Sequence, residues 1–476
     1  MKRIAIIGGG ISGLSAAYTI EQKRQSGTPV EYVLFESSPR LGGVLVTDRV
    51  DGCLVEAGPD SFLTEKPWAA DLCGKIGLGD QLIGSNDSER KTYIVAKGKL
   101  VVMPDGLMFM VPTKIMPTVL SPLFSWSTKI RMAAEWFHPP RKASEDETVA
   151  EMVKRHYGSE MVELLADPLL SGVYGGEASG LSVRAVLPRF ADMESKHGSL
   201  GRAMLRLRRQ ARKKMGASTE IPARPLFTSL KDGMQQMTDA LVARLDANTL
   251  KTSAPVQSVI RQDDDHGWIV SAGYQSDQFD AVIVATPAHA AADVLQSADA
   301  NLSRDLNEIQ YSSSITVTLG YDEQVRRSLP PGFGFLVSRS AGRRMLAATF
   351  VHNKFPHRAP ENRALVRCFL GGARDEQILQ SSEKEILEIV RSELRQIINL
   401  NAEPLFARVY KWKSAMAQYS VGHLERLQRI EALRQKLPGL ALAGNGYNGI
   451  GVPDCVRSGA EAAGKILAEM GMWSSA

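Results

Sequence analysis

Cysteine is scarce in this chain of 476 residues, and its placement excludes two kinds of site. Cys53, Cys73, Cys368 and Cys455 lie far apart, and no two of them have CxxC spacing. Neither a disulfide framework nor a cysteine zinc site is therefore indicated, and a reducing cytoplasm is the expected compartment. The chain also lacks an uninterrupted run of about 18 apolar residues, so no transmembrane helix is predicted.

Motifs for metal-dependent or nucleophilic chemistry are missing as well. The 8 histidines include no HxxH or HExxH pair, and the chain has no GxSxG sequence. The 57 Lys and Arg residues exceed the 52 Asp and Glu residues by a net charge of only +5. This surplus is too small to predict nucleic-acid binding, although it suits an anionic substrate or a membrane surface. The sequence thus predicts no metal site and no catalytic side chain, and the chemistry is expected to come from a cofactor.

A glycine-rich turn near the start of the chain points to such a cofactor. RIAII at 3–7 is predicted to be a short buried strand, and GGGISG at 8–13 supplies the pattern GxGxxG. A helix over LSAAYTIEQK follows, and VEYVLF at 30–35 is predicted to form the next strand, with Glu36 at its end. Strand, turn, helix, strand and acid in this order predict a Rossmann-like dinucleotide-binding unit.

Each of these residues has a physical task. Gly8 permits the tight turn, Gly10 lets a pyrophosphate approach the backbone, and Gly13 lets the helix and strand pack closely. Free N–H groups at the start of the helix hold the phosphates, while Glu36 accepts hydrogen bonds from the ribose hydroxyls.

The residues that follow favour FAD over NAD. Arg40, Gly42 and Gly43 add a second glycine pair directly after Glu36, and EAGPDSF at 56–62 adds a Gly-Pro turn. An NAD domain has no need of these extra turns, whereas an extended, buried FAD needs backbone close to its ribityl chain.

Two segments in the middle of the chain each leave two interpretations open. Residues 100–137 are apolar and broken by prolines, which predicts several short helices that either form a core or meet a membrane or an apolar substrate. Residues 201–214 carry seven basic residues and no acid. They form either a solvated helix face or an anchor for anionic lipid headgroups. Residues 217–225 are predicted to be a loop or linker.

Further strands are predicted in the second half. The segment 255–289 alternates strands and turns and ends in DAVIVATP, which has the composition of a buried parallel strand returning to the nucleotide sheet. The first domain is therefore expected to be discontinuous. More strands are predicted within 311–350 and 364–371, and an amphipathic helix over 381–398.

Taken together, these motifs resemble a known superfamily over nearly the whole chain. GGGISGLSAAY, VLFESSPRLGG and VEAGPDSF are similar to the flavin-containing amine oxidase and phytoene desaturase superfamily. Within it, the chain resembles the oxygen-dependent protoporphyrinogen oxidases, including their coproporphyrinogen-oxidising bacterial branch. The stretches that carry this narrower resemblance are DPLLSGVYGGEASGLSVRAVLPRF, FTSLKDGMQQMTDAL, NKFPHRAPENRALVRCFLGGARDE, YKWKSAMAQYSVGH and GNGYNGIGVPDCVRSG.

The resemblance implies an α/β fold, α+β overall, with three domains. They are a Rossmann-like FAD/NAD(P)-binding domain built from discontinuous segments, a substrate domain with a mixed sheet over the flavin, and a helical domain that in the family can face the membrane. The expected bounds are 1–65, 220–295 and 436–476 for the FAD-binding domain, 66–95 and 296–435 for the substrate-binding domain, and 96–219 for the helical domain.

Site residues follow from the resemblance by position. Lys66 falls where the family places a basic residue near a substrate propionate, although a lysine exposed in a loop is the other interpretation. The implied cofactor contacts are Gly8, Gly9, Gly10, Ile11, Ser12, Gly13, Glu36, Ser37, Arg40, Gly43, Gly58, Pro59, Asp60, Ser61, Val256 on the returning strand, Trp412, Val452, Pro453 and Asp454.

The second glycine-rich stretch, GNGYNGIGVPD at 444–454, is expected to approach the flavin end of the cofactor. Pro453 suits the first turn of a helix that continues through DCVRSGAEAAGKILAEM. The positive end of that helix is expected to face flavin N1 and C2=O, where hydride transfer places negative charge.

The activity implied by the resemblance is oxidation of a porphyrinogen to a porphyrin in haem biosynthesis. Three hydride transfers to flavin N5 are implied, with O₂ as acceptor and H₂O₂ as product. Coproporphyrinogen III and protoporphyrinogen IX both remain open as substrates, as do peripheral contact with the inner face of the cell membrane and hand-over to the next haem-pathway enzyme. Another flavin amine oxidase, a carotenoid-desaturase-like oxidoreductase and a non-catalytic flavoprotein scaffold are the alternatives.

Overall fold

The structure is a computed structural model of the full chain, and it describes residues 1–108, 110–112, 114–141, 145–215, 225–262 and 267–473. The predicted linker at 217–225 lies outside the described residues except for Pro225, and the expected domain boundary at 219/220 lies outside them entirely.

Within these ranges, strands occur along the whole chain. They are β1 Lys2–Ile7, β2 Val30–Phe35, β3 Thr47–Val50, β4 Cys53–Glu56, β5 Phe62–Leu63, β6 Leu82–Gly84, β7 Thr92–Ala96, β8 Lys99–Val102, β9 Leu107–Met108, β10 Val111–Pro112, β11 Phe227–Leu230, β12 Leu250–Lys251, β13 Val256–Arg261, β14 Trp268–Ala272, β15 Gln275–Phe279, β16 Ala281–Val284, β17 Tyr311–Asp322, β18 Gly334–Val337, β19 Met345–Phe350, β20 Arg363–Gly371, β21 Phe406–Ala417 and β22 Leu440–Leu442.

The α-helices cluster between residues 115 and 215 and also flank the sheets. They are α1 Ile11–Gln25, α2 Trp68–Lys75, α3 Ile115–Leu120, α4 Trp126–Ala134, α5 Val149–Tyr157, α6 Ser159–Met161, α7 Asp167–Tyr174, α8 Val183–Val186, α9 Pro188–His197, α10 Leu200–Met215, α11 Gln235–Val242, α12 Ala288–Leu295, α13 Ala300–Asn307, α14 Glu323–Ser328, α15 Val351–Lys354, α16 Glu383–Ile398, α17 His423–Arg434 and α18 Val452–Glu469.

A parallel sheet gathers strands from both ends and the middle of the chain. Its order in the described residues is β12-β2-β1-β16-β22. β16 pairs in parallel with β1, with Ile4 opposite Ala281, which confirms that DAVIVATP returns to the nucleotide sheet. Successive residues of β1 enter different cores: Ile4 and Ile6 pack with α1 and α18, whereas Ala5 and Ile7 pack on the opposite face with β14 and α12. Burial on both faces explains the uninterrupted apolar run of this strand.

A larger, mixed sheet has the order β21-β17-β20-β19-β18-β7-β8 in the described residues. Its neighbouring strands are antiparallel, except that β18 runs parallel to β7. The predicted strands SITVTLGY, FGFLV, MLAATF and ALVRCFL all lie in it, and the predicted helix over 381–398 is α16 beside its apolar core.

The prediction of short helices throughout 100–137 is wrong at its start. KLVV at 99–102 is β8, because it pairs antiparallel with β7 at the edge of the mixed sheet, and β9 pairs with β10. Helices begin at Ile115. The predicted basic helix is α10. Among the helices of the described residues, none is long and apolar enough to span a membrane.

Candidate functional site

The first glycine turn joins β1 to α1. Gly8 has φ +108°, which favours glycine, and a Cβ built on Gly13 would overlap the Gly8 carbonyl oxygen. By contrast, no described atom lies within 4 Å of a Cβ built on Gly10. No side chain caps α1 in the described residues, and its first turn holds no acid. The N–H groups at this helix start therefore face an open approach, as a bound pyrophosphate requires.

Glu36 lies beside this turn as predicted. One carboxylate oxygen accepts a hydrogen bond from Gly9 N at 2.7 Å, and the other accepts one from Ser38 N at 2.8 Å. Glu36 keeps a further lone pair for a ribose hydroxyl on the oxygen that accepts from Gly9 N. Ser37 is exposed next to it, and its hydroxyl lies 3.3 Å from the Glu36 carboxylate.

The second glycine pair packs against the first turn. Gly42 N donates to Gly9 O at 2.8 Å, and a Cβ on Gly43 would lie 3.2 Å from Gly10 Cα. The Arg40 guanidinium donates to the carbonyls of Leu41 and Gly43. Arg40 therefore fixes the loop that presents Gly43 to the open approach at Gly10.

Val256 does not lie on the returning strand β16, so its predicted placement is wrong, whereas its contact with the cofactor stays a prediction. Val256 begins β13, which pairs antiparallel with β14, because the backbone leaves the parallel sheet after β12. The connection still reaches the site: Ala254 N donates to Glu36 O, and Ser253 N donates to Ser38 O, both at 2.9 Å.

The Gly-Pro turn at 58–61 lies beneath the mixed sheet. The carbonyl oxygen of Ala57 accepts hydrogen bonds from Trp412 Nε1 at 2.9 Å and from Thr316 Oγ1 at 2.7 Å. Arg367 donates to the carbonyl of Gly58. The indole N–H of Trp412 is thus used to hold the turn, which brings its ring to the predicted cofactor contacts at 58–61.

Buried charges surround this turn, and of these the sequence analysis singled out only Asp60. Lys354 Nζ donates to both Asp60 carboxylate oxygens, at 3.1 and 3.0 Å, and to Ser61 Oγ at 3.1 Å. Burial opposes ionisation of Asp60, but Lys354 and Arg367 outweigh it and hold the Asp60 pKa below its usual range. Asp60 therefore carries its charge near neutral pH and ties this turn to the mixed sheet.

A second buried pair adjoins the first. Arg358 lies 3.1 Å from Glu56 and donates to Ser229 Oγ at 2.6 Å. Burial raises the pKa of Glu56, although Arg358 opposes this shift, and burial lowers the pKa values of Arg358 and Arg367. Of these two buried arginines, only Arg367 had a signal in the sequence, as a basic residue inside the otherwise apolar run ALVRCFL.

The second glycine turn is held by a buried tyrosine. Tyr419 OH donates to Asn445 O at 2.7 Å and accepts from Gly449 N at 2.8 Å, so that one hydroxyl bridges both sides of the turn. Gly449 has φ +125°, and Gly444 has φ +130°. Tyr311 lies at the start of the turn, with its OH 3.3 Å from Asn445 Oδ1.

The helices that follow the two glycine turns start side by side. α1 follows β1 and α18 follows β22, so both begin at the carboxyl edge of the parallel sheet. Ser15 Oγ donates to Val456 O at 2.8 Å, and a Cβ on Gly459 would overlap Ser12 O. Two positive helix ends thus meet at one edge, which fits a cofactor with phosphates at one end and a ring that gains negative charge at the other.

Residues of the second turn continue directly into α18. Val452 is its first residue and Pro453 its second, which confirms the predicted proline in the first turn. Asp454 follows, with its carboxylate 2.5 Å from Lys66 Nζ. Burial, and then the Asp454 charge, raise the pKa of Tyr174 to about 12. Lys66 is therefore no isolated loop lysine.

One cluster of potential metal ligands occurs in the described residues, within the helical region: His138, His156 and Glu194. His156 Nδ1 lies 3.1 Å from Glu135, and its Nε2 lies 3.0 Å from Glu194. Burial opposes protonation, yet these carboxylates raise the His156 pKa, and Arg155 also pairs with Glu194 at 2.9 Å. Because both ring nitrogens of His156 are bonded to carboxylates and Glu194 is also paired with Arg155, these ligand atoms form a charge network.

Comparison with known proteins agrees with this geometry. The family model for flavin containing amine oxidoreductases matches residues 11–467. Coproporphyrinogen III oxidase of Bacillus subtilis strain 168 is 35% identical over 470 residues, which cover 98% of this chain and 98% of that protein. Protoporphyrinogen oxidase 2, chloroplastic/mitochondrial, of Arabidopsis thaliana is 27% identical over 495 residues, covering 98% of this chain and 94% of that protein.

A solved structure is similar along its whole length. A crystal structure from Exiguobacterium sp. 255-15, assigned as a protoporphyrinogen oxidase, has a TM-score of 0.86 at 30% identity and covers 98% of this chain and 99% of that chain. The matched family region begins at Ile11 within the first glycine turn and includes all of the second turn and the elements between them, and the cofactor is FAD. The chain therefore belongs to the flavin-containing amine oxidoreductase family.

Proposed function

We propose that this chain is an FAD-dependent oxidase that converts coproporphyrinogen III to coproporphyrin III in haem biosynthesis. One observation carries the proposal: the similarity to the Bacillus subtilis coproporphyrinogen III oxidase covers 98% of this chain and 98% of that protein, so it is not confined to a single domain. Six hydrogens leave the macrocycle, and three O₂ molecules become three H₂O₂.

The residues of the chain bind and orient the reactants. FAD held by these residues would supply the hydride acceptor and the route by which electrons reach O₂. In this proposal the cofactor contacts are those predicted from the sequence, with the turns at 8–13 and 40–43 at the pyrophosphate and the turn at 444–451 at the ring. The ion pair between Asp60 and Lys354 keeps the turn at 58–61 attached to the sheet over the flavin.

Coproporphyrinogen III is proposed over protoporphyrinogen IX on two grounds. Identity is 35% to the coproporphyrinogen III oxidase of Bacillus subtilis and 27% to the Arabidopsis protoporphyrinogen oxidase 2. The net charge of +5 also favours a substrate with four carboxylates over one with two.

The test follows porphyrin fluorescence with both porphyrinogens under identical conditions. We expect a higher kcat/KM for coproporphyrinogen III, and the preference should shrink as ionic strength rises, because salt screens exposed charges. Equal values, or a higher value for protoporphyrinogen IX, would refute the choice of substrate. No turnover of either porphyrinogen by FAD-loaded protein would refute the function itself.

We further propose that the helical region contacts an anionic membrane surface. Large apolar side chains are exposed on α3, α4 and the turn after α4: Phe137 is 82% exposed and Trp126 70%, and Met116, Leu120 and Ile130 are exposed beside them. Lys129 Nζ lies 4.7 Å from the centre of the Trp126 ring, so a cation accompanies this apolar patch. Direct hand-over of the porphyrin to the next enzyme stays a prediction.

Vesicle sedimentation tests the membrane contact. The protein should sediment with phosphatidylglycerol vesicles and less with phosphatidylcholine vesicles, and Trp126→Ser with Phe137→Ser should lower the bound fraction without changing flavin content. Tyr274→Ser, a change at an exposed aromatic residue in the turn after β14, is the control and should bind as the unchanged protein does. Equal sedimentation of all three proteins would count against the patch.

A further inference from the structure

We infer that Lys66 is a positioning residue for the flavin end of the site, where it neutralises Asp454 so that the start of α18 keeps its positive field. The inference rests on the FAD site of the proposed function but not on which porphyrinogen is oxidised. It differs from the sequence-based prediction that Lys66 meets a substrate carboxylate.

The negative charge of Asp454 opposes the positive field at the start of α18. Asp454 is the third residue of α18, its side chain is only 4% exposed, and its Oδ2 accepts from Gly451 N at 3.3 Å. A helix start carries the equivalent of about half a positive charge, so one unpaired carboxylate there would make the local charge negative. Such a charge would disfavour the anionic charge that a flavin ring gains on reduction.

Lys66 provides the nearer compensating charge. Its Nζ lies 2.5 Å from Asp454 Oδ2. Arg457 lies farther away, at 3.8 Å from Oδ1, and its guanidinium also donates to Asn448 O at 2.9 Å and stacks 4.5 Å from the centre of the Trp68 ring. Of the two cations, Lys66 therefore has the shorter and more direct contact with the carboxylate.

The geometry of Lys66 argues against its serving only the substrate. Its side chain is 39% exposed, so it can be approached from solvent, but its charge is already paired with a buried carboxylate. A substrate carboxylate at the same ammonium group would have to compete with Asp454 at short range. The two roles make different predictions: the positioning role changes the flavin, whereas the substrate role changes KM.

A charge series measured on the purified holoprotein separates these roles. Lys66→Met should lower the two-electron midpoint potential of the flavin, measured by dye-coupled reduction without porphyrinogen. We expect the equilibrium constant for reduction to fall about tenfold, which is about 30 mV. Lys66→Arg keeps the charge and should leave the potential unchanged, while Lys66→Met with Asp454→Asn should bring it back toward the original value.

Lys465→Met is the matched control. Lys465 lies near the other end of α18, its side chain is also 39% exposed, and its ammonium pairs with Glu431 at 2.9 Å. This variant removes the same charge from the same helix and should leave the potential unchanged. A Lys66→Met protein with an unchanged potential would overturn the inference, as would equal shifts in Lys66→Met and Lys465→Met. Since no porphyrinogen is used, failure of the substrate assignment would not affect these outcomes.

Discussion

Tyr419→Phe tests whether one hydroxyl holds the second glycine turn. The change removes the donor to Asn445 O and the acceptor of Gly449 N, which lie 2.7 and 2.8 Å from the hydroxyl oxygen. The side chain is buried, so water does not readily replace either bond. A buried polar group left without a partner costs about 1–3 kcal/mol, and two such groups give about 2–6 kcal/mol.

This cost translates into a measurable shift in melting temperature. An unfolding entropy of about 2.1 cal/mol/K per residue amounts to about 1 kcal/mol/K over 476 residues, so each kcal/mol shifts the midpoint by about 1 °C. Tyr419→Phe should therefore lower the temperature of flavin release by about 2–6 °C. The assay follows the rise in flavin fluorescence as the holoprotein is heated, because the turn that loosens is the one proposed to hold the ring.

Tyr447→Phe provides the control within the same turn. The Tyr447 hydroxyl is buried and has no hydrogen-bond partner among the described residues, and burial raises its pKa above the usual range. Its removal should leave the temperature of flavin release unchanged or raise it slightly. Equal losses in the two variants would refute the reasoning, because the effect would then come from any lost hydroxyl and not from the bridge across the turn.

Three further predictions concern the glycine turns and the helical region. Gly10→Ala should lower the flavin content after purification but leave the thermal stability of the apoprotein unchanged, because the added Cβ enters only the open approach. Gly13→Ala should lower both the flavin content and the thermal stability, because its Cβ would overlap the Gly8 carbonyl oxygen. Gly449→Ala should lower flavin retention more than Gly451→Ala, because only Gly449 has a positive φ; equal retention would contradict this. The pKa of His156 is raised, so its pairing with Glu135 and Glu194 stabilises the fold most below about pH 6.5 and less as pH rises through the folded-state pKa. The melting temperature of His156→Gln should therefore be lower than that of the unchanged protein at pH 6, and it should fall less between pH 6 and 9. Parallel pH profiles of the two proteins would contradict this.

The first glycine turn could be predicted because its signals are local. Strand, GxGxxG, helix and Glu36 follow one another within 36 residues, and their spacing alone fixes the turn. The return of DAVIVATP was also predictable, since a strand buried on both faces needs a continuous apolar run. The start of the apolar segment at 100–137 was not predictable, because KLVV becomes a strand only through its pairing with β7.

The pairings of the supporting side chains could not be predicted, because the partners are distant in sequence. Lys66 and Asp454 are 388 positions apart, and Lys354 and Asp60 are 294 apart. No periodicity or spacing links such pairs, since they meet only in the folded chain. The sequence therefore predicted which backbone turns approach the cofactor, but not which charges and hydroxyl groups hold them.

Oxygen uptake by the FAD-loaded protein on addition of coproporphyrinogen III tests the central claim most directly. The proposed function predicts three O₂ consumed and three H₂O₂ formed for each coproporphyrin III released, with both yields lost when FAD is removed and restored when it is added back. Fully loaded protein that neither consumes O₂ nor forms porphyrin beyond the rate of spontaneous oxidation, with coproporphyrinogen III or with protoporphyrinogen IX, would contradict it.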